Sequence, residues 1–153
     1  MSINKDSAKG FTLIELLLVI AIIAILALVV IVALNPVKRL QDARNARRYA
    51  DVDSILTAVH EYIIDNNGSM PAGISTTEAQ LGTCATGGNV VCTTAATACV
   101  DLSTPLAKYL KSIPTDPLAS ASATYYSVVK DVNNIVTIKA CDAEDAATIT
   151  ISR

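Results

Sequence analysis

Residues 9–34 read KGFTLIELLLVIAIIAILALVVIVAL, and the fold turns on this stretch. From Leu16 to Leu34 it is apolar without a break. A helix rises about 1.5 Å per residue, so that run covers roughly 28 Å, close to the hydrocarbon thickness of a bilayer. A membrane span is therefore expected. Glu15 sits at its head, and a carboxylate near a membrane interior is costly unless it finds a partner. A secretory signal peptide would have an apolar core of about 7 to 15 residues followed by a small-residue cleavage site. Here the apolar run is longer, and the small residue, Gly10, precedes it.

A short polar leader with Lys5 and Lys9, then the block Gly10-Phe11-Thr12-Leu13-Ile14-Glu15 and a long apolar helix, resembles the N-terminus of type IV prepilins and the related pseudopilins. The resemblance implies that a membrane-embedded prepilin peptidase cuts between Gly10 and Phe11 and methylates the new amine of Phe11. It also implies a partner for Glu15: the cationic Phe11 amine, chiefly that of a neighbouring subunit docking into a growing filament. Low dielectric strengthens such a pair and raises the cost of leaving either charge alone, so it would set subunit register. An ordinary signal anchor, with Glu15 at headgroup level beside Lys9, explains the glutamate but not the block.

On this reading residues 1–10 are a removed leader, 11–35 a membrane-spanning and filament-core helix, and 36–153 an amphipathic helix half with a globular head. The expected class is α+β, the pilin fold, in which one long N-terminal helix packs its amphipathic half on a small C-terminal antiparallel β-sheet.

The remaining composition fits a small head. The chain has 153 residues and is 52% hydrophobic, much of it in the span, with 4% aromatic residues. Formal net charge is −2, and removal of Lys5, Asp6 and Lys9 with the leader makes it −3 before the new amine is counted. Neither a basic nucleic-acid surface nor a strongly acidic one is indicated. Cys84, Cys92, Cys99 and Cys141 all lie beyond the span, as expected of a head exported to an oxidising compartment. Four cysteines allow three pairings. Cys84–Cys92 with Cys99–Cys141 is the favoured one, since the second bridge would tie the loop to the final strands. A zinc site is disfavoured because no C-x₂-C hook occurs.

Beyond the span the helical pattern continues to about Asn66, for a total of roughly 80 Å. Leu40, Ala43, Tyr49, Val52, Leu56, Val59 and Ile63 recur mostly at steps of three or four, the spacing of one buried helix face. Asn67-Gly68 is a natural stop, with Pro71 following. Pro36 lacks an amide hydrogen and is expected to kink the helix or loosen its preceding turn. The resemblance adds that this half often carries a proline and a glycine between which filaments unwind. With no glycine between Gly10 and Gly68, loosening is expected only before Pro36.

Lys38, Arg39, Arg44, Arg47 and Arg48, interleaved with Asp42, Asp51 and Asp53, read either as a solvated face with i,i+3 and i,i+4 pairs or as intersubunit salt bridges. These cations favour a cytoplasmic C-terminal side, but the cysteines and the leader block outweigh them. Residues 68–101, rich in Gly, Thr, Ala and Ser, form a loop ordered by its disulfides. Thr104-Pro105 opens a short helix through Lys111, and Ile113–Pro117 must turn. That turn resembles the proline-bracketed one of major type II secretion pseudopilins, some of which hold calcium nearby. Leu118–Ser122 lacks a carboxylate cluster, and calcium wants about six to eight oxygens, so no metal is expected. Asp116, Asp131, Asp142 and Asp145 read as turn residues. Strands are predicted over Thr124–Lys130, Ile135–Cys141 and Thr148–Ser152.

His60, the sole histidine, has no clustered ligands beside it and reads as a partly buried or surface residue. No nucleophile–base set, phosphate loop or metal hook is present in the sequence, so neither an enzyme nor a cofactor is expected. The resemblance implies a type IV pilus subunit, polymerising with copies of itself after waiting in the inner (cytoplasmic) membrane. Its partners would be prepilin peptidase, an inner-membrane assembly platform and ATPase, and the lipid bilayer before assembly. The alternative is a pseudopilin of a type II secretion or competence system. A singly anchored binding or enzymatic domain would instead keep its leader and stay monomeric.

Overall fold

The computed structural model describes residues 10–85, 92 and 98–153. The leader expected at 1–10 lies outside them except for Gly10, as does part of the cysteine loop. The chain divides into two compact units with the boundary between Arg39 and Leu40.

In the first unit, α1 spans Leu13–Leu34 and none of its residues is buried. The helix begins at Thr12 and stops at Asn35, which adopts a left-handed conformation at φ 40°. Pro36 then opens α2, Pro36–Asp65. The interruption expected before Pro36 is thus one residue long, and its cause is local. Pro36 occupies a first helical position, where its missing amide hydrogen costs nothing. Asn35 serves the new helix, its carbonyl accepting from Arg39 N at 3.3 Å and its Oδ1 from Lys38 N at 3.4 Å.

The second unit is the head. From Leu40 onward α2 runs to Asp65, where Asn67 and Gly68 take positive φ and Gly68 N donates to Ile63 O at 2.8 Å, closing the helix end. The sheet has the order β1-β2-β3-β4, all antiparallel, with β1 Ala79–Gln80, β2 Tyr126–Lys130, β3 Val136–Ala140 and β4 Ile149–Ser152. Asp131 makes the β2–β3 turn by accepting the amides of Asn133 and Ile135, each at 2.8 Å. In β3, Val136, Ile138 and Ala140 are buried while Thr137 and Lys139 are not, the period of two of a half-covered sheet. These side chains meet Val52, Ile55, Leu56 and Val59 of α2 and Leu81, Leu102 and Leu106 of the connecting segment in one core. Each fully buried aliphatic contributes about 1.5–3 kcal/mol.

Four expectations are corrected. Leu40, Ala43 and Tyr49 are exposed, because the buried face of that stretch carries the polar residues Asn45 and Arg48. The helix expected from Pro105 to Lys111 is a run of turns, in which Leu106 N→Leu102 O and Leu110 N→Leu106 O alternate with tighter bonds at Ala107 and Tyr109. A two-residue strand, β1, joins the predicted three, held by main-chain pairing to Ser127 and Val128. The disulfides are Cys84–Cys99 and Cys92–Cys141 rather than Cys84–Cys92 and Cys99–Cys141. Val100 runs beside Leu81, and its amide donates to Gln80 O at 2.7 Å while Cys99 N donates to Cys84 O at 3.0 Å. That backbone pairing sets Cys84 and Cys99 side by side and leaves Cys92 for Cys141 at the end of β3.

Candidate functional site

The N-terminal block is built around Thr12. With extended backbone at φ −79° and ψ 152°, Thr12 caps α1 and closes a reciprocal box with Glu15. Glu15 N donates to Thr12 Oγ1 at 3.2 Å, while Glu15 Oε2 accepts from Thr12 N at 2.8 Å and from Thr12 Oγ1 at 2.9 Å. Two otherwise orphaned amides are satisfied, and the carboxylate lies at the positive end of the helix dipole. Within a single chain, then, Thr12 is the partner that Glu15 needs.

The same cap keeps Gly10 and Phe11 out of the helix. Both are exposed, Phe11 at 90%, so the peptide bond between them is presented in irregular backbone, as a protease requires. A Cβ built on Gly10 meets nothing within 4 Å. The chain's own packing places no demand for glycine there, so any such demand comes from whatever reads the site. Behind the block, the helix contains an 18-residue window of mean hydropathy 3.6, enough to cross a membrane by length and composition.

Within the basic stretch of α2, Arg44 and Arg48 pair with acids far along the chain. Arg48 is fully buried, and its guanidinium forks onto Asp116, with Nη2 to Oδ1 at 3.1 Å. Its Nη1 donates to Glu144 Oε2 at 2.8 Å and to Asn45 Oδ1 at 2.9 Å. Arg44 joins from one turn earlier, donating from Nε and Nη2 to both oxygens of Glu144 at 2.6 Å. Arg47 makes an expected i,i+4 pair, with Asp51 at 3.6 Å. Arg44 and Arg48 therefore bind the turns that follow β3 and precede β2 within the same head.

The charges respond to these contacts. Hydrogen bonds from Arg44 and then Arg48 lower the Glu144 carboxyl to about 2. Burial would depress the Arg48 guanidinium, but its bonds to Asp116 and Glu144 outweigh that and raise it. Asp142, 3.6 Å from Arg48, is pushed up by burial and then by the charge of Asp116. Asp116 remains a turn residue, its Oδ1 accepting Leu118 N at 2.8 Å, yet it is also the buried anion of the cluster. Tyr126, from β2, donates to Asp51 Oδ2 at 2.8 Å.

Of the residues singled out from sequence, Gly10, Phe11 and Glu15 lie together at the start of α1. Pro36 opens α2, and the four cysteines pair in the head. No group of His, Cys, Asp and Glu suited to a metal ion occurs among the described residues. Thr12 was missed, although Thr-x-x-Glu before an apolar run is a legible capping box. Asp116 and Glu144 as partners of Arg48 had no local signal.

Residues 5–31 match the family model described as the prokaryotic N-terminal methylation motif, the class III signal peptide of type IV pilins and pseudopilins. No curated protein and no solved structure matches the chain. The motif implies processing by prepilin peptidase, and with α1 it fits a membrane-anchored precursor. An N-terminal helix and a small antiparallel four-stranded sheet make an α+β arrangement consistent with the pilin fold.

Proposed function

We propose that this chain, which carries the methylation motif of type IV pilins and pseudopilins, is a structural subunit of a type IV pilus. Its role is mechanical and not catalytic. The subunit waits in the inner membrane, loses its leader, and polymerises helically through α1 into an extracellular filament, driven by an assembly platform and ATPase. The observation that carries this is α1 itself, a run of exposed Leu, Ile and Val headed by a carboxylate. Lipid covers such a surface before assembly, and the same helix of neighbouring copies covers it afterwards. Glu15 would then exchange Thr12 for the Phe11 amine of a neighbour, which meets it with a full opposite charge.

The pseudopilin reading shares the motif, and the turn around Asp116 resembles the one in major pseudopilins. The two separate by experiment. Surface material sheared from cells and viewed by electron microscopy should contain long filaments made of this chain. Mass spectrometry of that material should find N-methylated Phe11 at the terminus. Short fibres seen only on overproduction would favour the pseudopilin, and a subunit starting at Met1 would remove both.

A further inference from the structure

Between the end of α2 and the β2–β3 turn the head holds a cavity of about 390 Å³, within the size range of small-molecule sites, roughly 300–1,000 Å³. Its polar wall carries two cations, Lys130 from the end of β2 and Arg153 after β4, beside the imidazole of His60 from α2. Its apolar wall comes from Ile63, Met70 and Ile135. No Asp or Glu is among the described residues that line it.

The charges nearby leave this character in place. Asp131 is turned into the β2–β3 turn, where it accepts backbone amides. Asp53 meets Arg153 at 3.3 Å, a single contact that leaves other guanidinium hydrogens available. Lys130 meets the neutral amide oxygen of Asn134 at 3.2 Å. A concave site with cations on one side and aliphatic carbon on the other suits a ligand that is itself divided in this way.

We propose that this cavity binds a small organic anion, a monocarboxylate with a short apolar body. Lys130 and Arg153 take the carboxylate through charge-assisted hydrogen bonds, and Ile63, Met70 and Ile135 cover the carbon chain, with His60 in the same wall. The site is independent of filament assembly, so neither result decides the other.

As the sole histidine, His60 gives a direct readout. The full-length chain in detergent micelles is titrated with butyrate, butanol and inorganic phosphate while the His60 imidazole resonances are followed. Butyrate should shift them saturably. Lys130→Ala should weaken butyrate about tenfold, and butanol and phosphate should each bind at least about tenfold more weakly than butyrate. The backbone bond from Lys130 N to Ser75 O survives that substitution. Ile135→Ala, a second variant on the other wall, should weaken butyrate more than phosphate. Butanol binding as well as butyrate would reduce the cavity to an apolar crevice, and phosphate binding as well would reduce it to a general anion patch. Either result, or the absence of a saturable shift, overturns the proposal.

Discussion

Arg48 and Asp116 form an ion pair in which both side chains are fully withdrawn from solvent. They are separated by 68 positions in the chain, so the pair fixes α2 to the turn that leads towards β2. A buried pair of this kind is weak evidence of net stabilisation, because desolvation offsets attraction, but removing one partner strands the other.

Arg48→Ala should therefore lower the stability of the head by about 3–5 kcal/mol, the usual cost of an uncompensated buried charge. Arg44→Ala, whose side chain is partly exposed, should cost clearly less. Denaturant unfolding of the two variants beside wild type measures this. Equal and small losses would mean that Asp116 finds another partner.

Acid should weaken the same cluster in a defined window. The Glu144 carboxyl is lowered from 4.5 to about 2, so its contribution is complete above its unfolded value and is lost as pH falls towards about 2. Asp142 acts in the opposite sense: its raised value means that the folded head takes up a proton there before the unfolded chain does. Glu144→Gln should destabilise at pH 7, with the difference shrinking below about pH 4.5 and vanishing near pH 2. A difference independent of pH from 7 to 2 would show that Glu144 acts by packing and not by charge.

Peptide mapping without reduction should recover Cys84 linked to Cys99 and Cys92 linked to Cys141. Replacing Cys92 and Cys141 together by Ser should cost about 2–5 kcal/mol, as for native bridges of small secreted domains. Recovery of Cys84 with Cys92 would contradict the pairing of Val100 beside Leu81.

What the sequence disclosed depended on how far apart the interacting residues lie. The span, the helix stop at Asn67-Gly68 and strands β2 to β4 are written in local periodicity, and each is found within a residue or two of its expected place. Strand β1 escaped because two residues carry no period, and its place is fixed by main-chain bonds to β2. Arg48 escaped for a different reason. On a helix its spacing is that of any solvated arginine, and only Asp116 and Glu144, 68 and 96 positions away, make its burial tolerable. The exposure of Leu40 and Tyr49 follows from this, since a polar cluster holds the face that apolar recurrence had assigned to them. The Thr12 cap, by contrast, is wholly local, and Thr-x-x-Glu ahead of an apolar run spells it out.

Gly10→Val tests whether the glycine serves an enzyme or the chain. With nothing near its added Cβ, the substitution should leave the head's unfolding unchanged while the precursor accumulates in the membrane. Immunoblotting for precursor and mature forms, beside the unfolding curve, separates the two effects. Normal processing of Gly10→Val would mean that the cut lies elsewhere.

Glu15→Leu tests the central claim most directly. In the single chain the carboxylate is satisfied by Thr12, so its loss should leave membrane insertion and processing intact. In the filament the substitution removes the partner of a neighbour's Phe11 amine and leaves a buried ammonium unpaired. The measurement is pilus yield in the sheared surface fraction against total membrane-bound subunit. The account predicts a severe fall in the first with no change in the second, whereas wild-type yield from Glu15→Leu would contradict it.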